Sequence, residues 1–530
     1  MTSRIRGRNI EKARNMNFFT KRVSYMKEKS SKRPIRKLRP LGEEMKVKER
    51  SLDEKVSFIK EGLFQTDDLF IRDLVFNERV LKLIYIDSII EVKSLQEVVI
   101  KPIQEMPRGE IKNIVNSGGI KETEDLQVLL DGLVDGRCAL LEEGRETMTL
   151  IALPKNQSAH RVEPTNEKVI RGSHQGFSEE ITENVQFVRQ RITNEKLTVR
   201  YANAGETSRT KYALIFLSEL TNPALVEEIE RRISYIDVDS IQSPGHFEEF
   251  LEDSTISPFP QFLNTERPDR AVANLMEGRV LLLMEGSPTA LIFPVSFFSF
   301  FQTSEDYNTR TTTGSFLRLI RLISYLTTLC LPATYIAVIS YNYEIIPVEI
   351  IFSIKNSLEY LPFPPLIEAA IMQFTLELLR EAAIRLPNPV AQTIGVVGGL
   401  VIGTAVVEAH FVSNTMVIVV AITAISSFVI PSNELSTSIR ILGFPLMVLA
   451  SLFGFFGIII GLVVILIHMA TLTSLGQPYL YPIAPLDVKA LKDTLIRVPI
   501  WMMRTRPKDV KPQYYWKSSK SREWKNHDES

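Results

Sequence analysis

The chain has 530 residues, more than a single hydrophobic core usually supports, so two or more domains are expected. Lys/Arg and Asp/Glu balance at 62 each, yet the ends are basic: residues 1–50 carry 17 Lys/Arg against 5 Asp/Glu, and residues 487–530 carry 11 against 6. Between Ile394 and Leu472 the only full charges are Glu408, Glu434 and Arg440, a composition that excludes a purely soluble protein.

Residues 1–50 mix Arg, Lys, Ser and Pro, as in SKRPIRKLRP at 31–40, and read as a basic disordered arm. With a membrane domain downstream, attraction to anionic headgroups explains such an arm better than nucleic-acid binding. A plain solvated tail explains it equally well. No apolar run follows the basic start, so no signal peptide is expected, and the N-terminal domain belongs on the cytoplasmic side. Cys138 and Cys330 lie far apart in apolar runs, which predicts reduced, buried thiols.

From Leu52 to Pro294 the pattern is α/β and repeats itself. LVDGRCALLEEG (133–144) matches LMEGRVLLLMEG (275–286) at seven of twelve positions, and each copy leads into a short apolar run ending in Pro. Upstream, LIYIDSI (83–89) pairs with LIFLSEL (214–220), each ahead of an amphipathic helix. Two similar cytoplasmic α/β subdomains are therefore expected, at 51–165 and 166–294. The run ALIFPVSFFSFF (290–301) is too short and too interrupted by Pro to span a bilayer, so 289–293 reads as a strand, with Phe297–Phe301 touching the bilayer surface. GSHQG (172–176) puts His174 where a nucleophile elbow needs Ser, and there is no phosphate-cradling loop, dinucleotide fingerprint or HExxH. No enzyme, cofactor or metal site is predicted.

Residues 295–486 read as an all-α multi-pass membrane domain with about four transmembrane helices, near 322–341, 394–411, 415–431 and 441–472. Arg310, Arg318 and Arg321 precede the first and acidic residues follow it, which places its start in the cytoplasm. Four spans then return the basic tail, 487–530, to the cytoplasm. The amphipathic helix 366–386 sets Glu377, Arg380, Glu381 and Arg385 at i,i+3 and i,i+4 spacings. It reads either as an interfacial helix or as one lining an ion path. Gly395, Gly399 and Gly403 form a stripe for close helix packing, and Pro445 with Gly454, Gly457 and Gly461 are the candidate bend and contact points in the 32-residue last span, which must tilt, kink or extend beyond the bilayer. Glu408, near the end of a hydrophobic run, is either a functional carboxylate or an interfacial one.

The stretch SPFPQFLNTERPDRAVANLMEGRVLLLMEGSPTALIFP (257–294), with its core Thr265, Glu266, Arg267, Pro268 and Asp269, resembles the A subunit of spore germinant receptors, the GerA family. EPTNEKVIRGSHQGFSEEITENVQFVRQRI (163–192), EDY (305–307), LREAAIRLP (379–387) and SLGQPYLYPIAP (474–485) carry the same resemblance, which runs from about residue 70 to 486. His410 departs from it, standing where a small residue is expected.

The resemblance implies a multi-pass protein of the inner spore membrane, acting with a permease-like B subunit and a lipoprotein C subunit in response to nutrients. It implies a homo-oligomeric ligand-gated cation channel, with Glu408, Glu377, Arg380, Glu381 and Arg385 as candidates for the ion path. A secondary transporter and a non-conducting membrane-anchored scaffold are the alternatives. A transporter would need more spans and an inverted repeat, whereas the repeat here lies in the soluble half.

Overall fold

The computed structural model describes residues 51–106, 108–115, 119–153, 162–347, 361–387, 399 and 403–518. The basic arm 1–50, Gly395 and most of the 394–402 stretch, and residues 519–530 lie outside the described residues.

The first lobe opens with α1 (Leu52–Gly62), whose start is fixed by a capping box between Ser51 and Glu54. It is followed by β1 (Leu69–Phe76), β2 (Arg79–Ile86), β3 (Ile120–Thr123), α2 (Leu126–Val134), β4 (Arg137–Glu142) and β5 (Met148–Ala152). The sheet is antiparallel with order β1-β2-β4-β5-β3. The second lobe runs α3 (Ile181–Arg191), β6 (Leu197–Ala204), β7 (Thr210–Leu217), α4 (Pro223–Ile233), α5 (Pro244–Leu251), β8 (Leu263–Thr265), α6 (Pro268–Leu275), β9 (Val280–Met284) and β10 (Ala290–Phe293). Its order, β6-β7-β9-β10-β8, is the same path drawn again. The sequence pattern found the strands at the centre of each sheet. It overlooked β1, β6, β3 and β8, which lie at the edges and are shorter, more polar or more exposed.

Both faces of each sheet are covered. In the second lobe Leu281, Leu283, Ala213 and Ile215 pack against α3 and α6, while Leu282, Met284, Leu214 and Phe216 pack against α4 and α5. Burial on both faces is why these strands read as unbroken apolar runs rather than as alternating ones. The lobes are pinned together by Arg189 of α3, which donates to Asp68 through Nε (2.6 Å) and Nη2 (2.7 Å), both side chains being buried.

No seam separates the second lobe from the helices that follow. Phe297–Phe301 do not lie on the surface; they are buried in an aromatic cluster with Phe259, Tyr325 and Tyr479. The core containing α3 and β9 continues through that cluster into α7 (Thr311–Tyr341), α8 (Pro365–Arg385), α9 (Asn414–Val429) and α10 (Asn433–Thr471). Two of these, α7 and α10, are long and apolar enough to cross a membrane, and α9 is a shorter apolar helix.

The residues read as one long span at 441–472 do something else. Within α10, Gly454 has φ 60° and ψ −140°, and the helix reverses there. A Cβ on Gly457 would stand 2.0 Å from the carbonyl of Leu449, and one on Gly461 2.5 Å from the Leu446 side chain. In a straight helix those pairs would be about 12 and 22 Å apart. Gly457 and Gly461 therefore serve packing within one hairpin, and Gly454 is the residue able to take the left-handed turn at its apex. The tail is ordered as far as described: residues 487–518 wrap back over the second lobe, with Arg506 donating to the carbonyl of Met276 and Gln513 to those of Ser218 and Thr221.

Arg318 and Arg321, two of the cations from which the sequence predicts a cytoplasmic start for the first span, are buried and spent on Asp306, which is fully buried itself. Arg321 Nη1 reaches Asp306 at 2.7 and 2.9 Å, and Arg318 bridges Asp306 to Asp493 of the tail. Asp306→Asn should leave buried Arg321 without its counter-charge and Arg318 with Asp493 alone, at a cost of about 3–5 kcal/mol. Thermal unfolding of the detergent-solubilised protein should register a large drop, whereas Asp487→Asn, at a half-exposed pair with Lys508, should change little.

The joint between α5 and the first turn of α10 gathers Glu248, Glu252 and Glu434. Burial, with the charges of Glu434 and Glu252, pushes the Glu248 carboxyl up to about 9 from 4.5. The folded state then keeps a proton that the unfolded chain has released, so stability falls as pH rises from about 4.5 towards 9. Glu248→Gln should match the parent near pH ~5 and melt higher near pH ~8. Equal melting shifts at both values would contradict the assignment.

Candidate functional site within the membrane helices

The helices lie antiparallel. At the far end of α7 the Tyr341 hydroxyl donates to the carbonyls of Ser451 (2.8 Å) and Leu452 (2.9 Å), beside the Gly454 reversal. Near that end Ser413, the cap of α9, hydrogen-bonds Tyr335 of α7 at 3.0 Å. At the other end of α9, Ser427 accepts through its carbonyl from Ser436 Oγ of α10 (2.9 Å), close to where α10 leaves the second lobe. Helix α8 runs between the two levels, and its polar side chains meet both.

At the upper level Glu368 of α8 is fully buried. One carboxylate oxygen accepts the Ser413 N–H at 3.2 Å, and the other has no hydrogen-bond partner among the described residues. Gln373 Oε1, one turn further on, is likewise buried without one. At the lower level Glu377 lies between Arg380 (3.2 Å) and Arg440 (2.7 Å), Arg440 being on α10. Arg380 also donates to Ser427 Oγ and stacks its guanidinium over Phe428, 4.6 Å from the ring centre. Arg440 Nη1 adds a bond to Ser436 Oγ at 2.9 Å. An apolar bundle tolerates such groups only when they pair or face water, so this line of side chains is the strongest candidate for function among the membrane helices.

The predicted site residues separate into groups. Glu377 and Arg380 are brought together across three helices. Glu381 and Arg385 only pair with each other at the exposed end of α8. Glu408 is exposed, and its carboxylate has no hydrogen bond or ion pair among the described residues. A Cβ on Gly399 or Gly403 would meet nothing within 4 Å, so none of the described residues packs on that stripe. Sequence reasoning missed Glu368 and Arg440. Arg440 was visible as one of three charges in the long apolar stretch, and its partner could have been sought nine residues along from Glu368, at Glu377.

The TERPD residues form a clamp. Glu266 accepts the backbone N–H of Thr165 (2.6 Å) and Asn166 (3.1 Å). Thr265 donates to Glu167 at 2.5 Å, and Arg267 donates to the carbonyls of Glu167 and Ser173 while pairing with Asp269. Pro268 begins α6, where its missing N–H costs nothing. Next to it Arg270 ties Glu167 to the carbonyls of Ser299 and Gln302, so the strap at 163–176, the lobe and the run into α7 are fastened at one place.

A family model described as Bacillus/Clostridium GerA spore germination protein matches residues 57–509. Spore germination protein KA of Bacillus subtilis (strain 168) is 33% identical over 471 residues, covering 87% of each chain. Spore germination protein GerLA of Bacillus cereus is 39% identical over 379 residues, covering 72% of this chain and 77% of that one. An uncharacterized membrane protein of Bacillus subtilis (strain 168), YfkQ, is 36% identical over 432 residues, covering 80% and 84%. The crystal structure of the N-terminal domain of the A subunit of the Bacillus megaterium spore germinant receptor GerK3 is 26% identical, with a TM-score of 0.36, covering 47% of this chain and 96% of that one. The chain belongs to the GerA family of spore germination proteins, the A subunits of spore germinant receptors.

Proposed function

We propose that this chain is a membrane subunit of a nutrient-responsive germinant receptor and forms, as a homo-oligomer, a cation path of the inner spore membrane. Its partners in this reading are the permease-like B subunit and the lipoprotein C subunit. The observation that carries it is the polar line from buried Glu368 and Gln373 to the half-buried Glu377, Arg380 and Arg440, since ionisable groups inside an apolar bundle mark ion or proton routes more often than they serve stability. The Gly399/Gly403 face, left open by the described residues, supports close packing against a second copy. In that assembly Glu408 stands at a mouth, where a ring of carboxylates would gather cations.

The antiparallel run of α8 and the reversal in α10 favour six passes over four. In this reading α8 crosses back to the cytoplasmic side, 394–411 returns outward, and the two arms of α10 enter and leave. Both arms, 433–453 and 455–471, are about 26–31 Å long, close to the thickness of a bilayer core.

Single cysteines test the arrangement. One at Asn356 should react with an impermeant thiol reagent from outside, and ones at Ser243, Pro387 and Ser518 should not. Outside labelling at Pro387 would restore α8 as an interfacial helix and the four-span count. For the path itself, the purified protein in liposomes should pass potassium, which separates a channel from a scaffold. Glu368→Gln keeps shape and removes the charge, and it should slow nutrient-triggered cation release several-fold at normal abundance, with Glu408→Gln showing a smaller loss. Parental release rates in both variants would remove these carboxylates from the path.

A further inference from the structure

The segment that follows the last membrane helix carries a surface that the channel reading does not use. Ile483, Leu486, Val488, Ile496 and Ile500 are 46–69% exposed, and Trp501 is 37% exposed. Exposed among them are Lys489 and Lys492. Scattered apolar residues on a surface need no explanation, but so dense a set in some twenty residues does.

Its position is fixed by α7. The Arg497 carbonyl accepts from Ser315 Oγ at 3.0 Å, Arg497 Nη1 donates to the Thr309 carbonyl at 2.8 Å, and Asp493 takes the Arg318 guanidinium at 2.9 Å. The segment is therefore bolted beside the first two turns of α7. From there the exposed residues Phe316, Leu319, Ile323 and Leu326 run up one face of that helix at 49–62% exposure. The exposed stripe of α7 begins at Phe316, next to the Ser315 that holds the Arg497 carbonyl, so it starts beside the apolar rim of the tail at Ile496.

We infer that residues 483–502 form an interfacial collar that lies in the cytoplasmic leaflet and takes anionic phospholipid headgroups on Lys489 and Lys492. Aliphatic side chains with an interleaved Trp and flanking lysines are the composition that the headgroup boundary favours. Adjacency to the exposed stripe of α7 and the positive sign of the exposed charges commit the surface to lipid rather than to a second protein chain. The inference rests on the membrane reading above.

The protein has three tryptophans, so Trp516→Phe with Trp524→Phe isolates Trp501. The full chain, reconstituted with spin-labelled lipids, should show Trp501 quenched most by labels near the glycerol level. Quenching should be stronger in phosphatidylglycerol than in phosphatidylcholine, and Lys489→Gln with Lys492→Gln should abolish that difference. A second protein, in which Trp501→Phe is added and Ile323→Trp supplies the sole indole, reports insertion of α7. If the Ile323→Trp protein is quenched by acyl-chain labels and Trp501 is not quenched by any label, the collar is wrong while the membrane reading stands. If neither protein is quenched, the membrane reading fails and the collar with it. Trp501 shielding that persists in detergent and vanishes only when the oligomer dissociates would assign the surface to a protein neighbour and overturn the proposal.

Discussion

Asp306 is one carboxylate holding two buried guanidiniums, and most of the architecture depends on it. Without it Arg321 would be buried with no counter-charge and Arg318 would rely on Asp493 alone, a cost that takes a large share of a domain's usual stability. Pairing them frees the base of α7 to sit against the aromatic cluster of Phe297, Phe301 and Tyr325 instead of facing water. The same site recruits the tail through Asp493 and Tyr307. The run out of the second lobe, the first long apolar helix and the C-terminal segment thus share one ionic centre.

A second consequence concerns where flexibility can reside. The lobes are locked by Arg189 and Asp68, the strap by the TERPD clamp, and the second lobe by a core continuous with the helices. Each fastening removes a hinge that a chain of this length would normally have between domains. Within the apolar helices Glu368 and Gln373 each leave a buried oxygen unpartnered among the described residues, as Gln186 and Asn264 do in the second lobe.

Much of this was legible in the residues. The duplicated 133–144 and 275–286 segments announced two like lobes, because a repeated strand–turn–strand must be buried in a repeated way. The Glu377 and Arg380 pair was visible from helical spacing. What the sequence hid was tertiary. Arg318 and Arg321 look like ordinary membrane-flanking cations until Asp306, twelve and fifteen residues earlier, is found beneath them. Gly454 was legible as a candidate bend but not as a full reversal, because a glycine in an apolar run reads the same whether it kinks a helix or ends it. The amphipathic pattern of 366–386 was ambiguous for a related reason: buried ion pairs inside a bundle and solvated ones at an interface share one spacing.

The hairpin of α10 has its own mechanical meaning. Its two roots stand on the same lobe: Glu434 belongs to the acidic joint with α5, and His468 hydrogen-bonds Ser257 at 2.8 Å and stacks on Phe259. A helix crossing once between two compartments tilts when one end is pushed. A doubled helix with both feet on one platform is instead lifted or lowered as a plunger, and its apex carries the stroke. That apex is held by Tyr341, the last residue of α7, so a vertical displacement of the lobe would be felt first on the opposite face of the bundle, a full helix length from where it began.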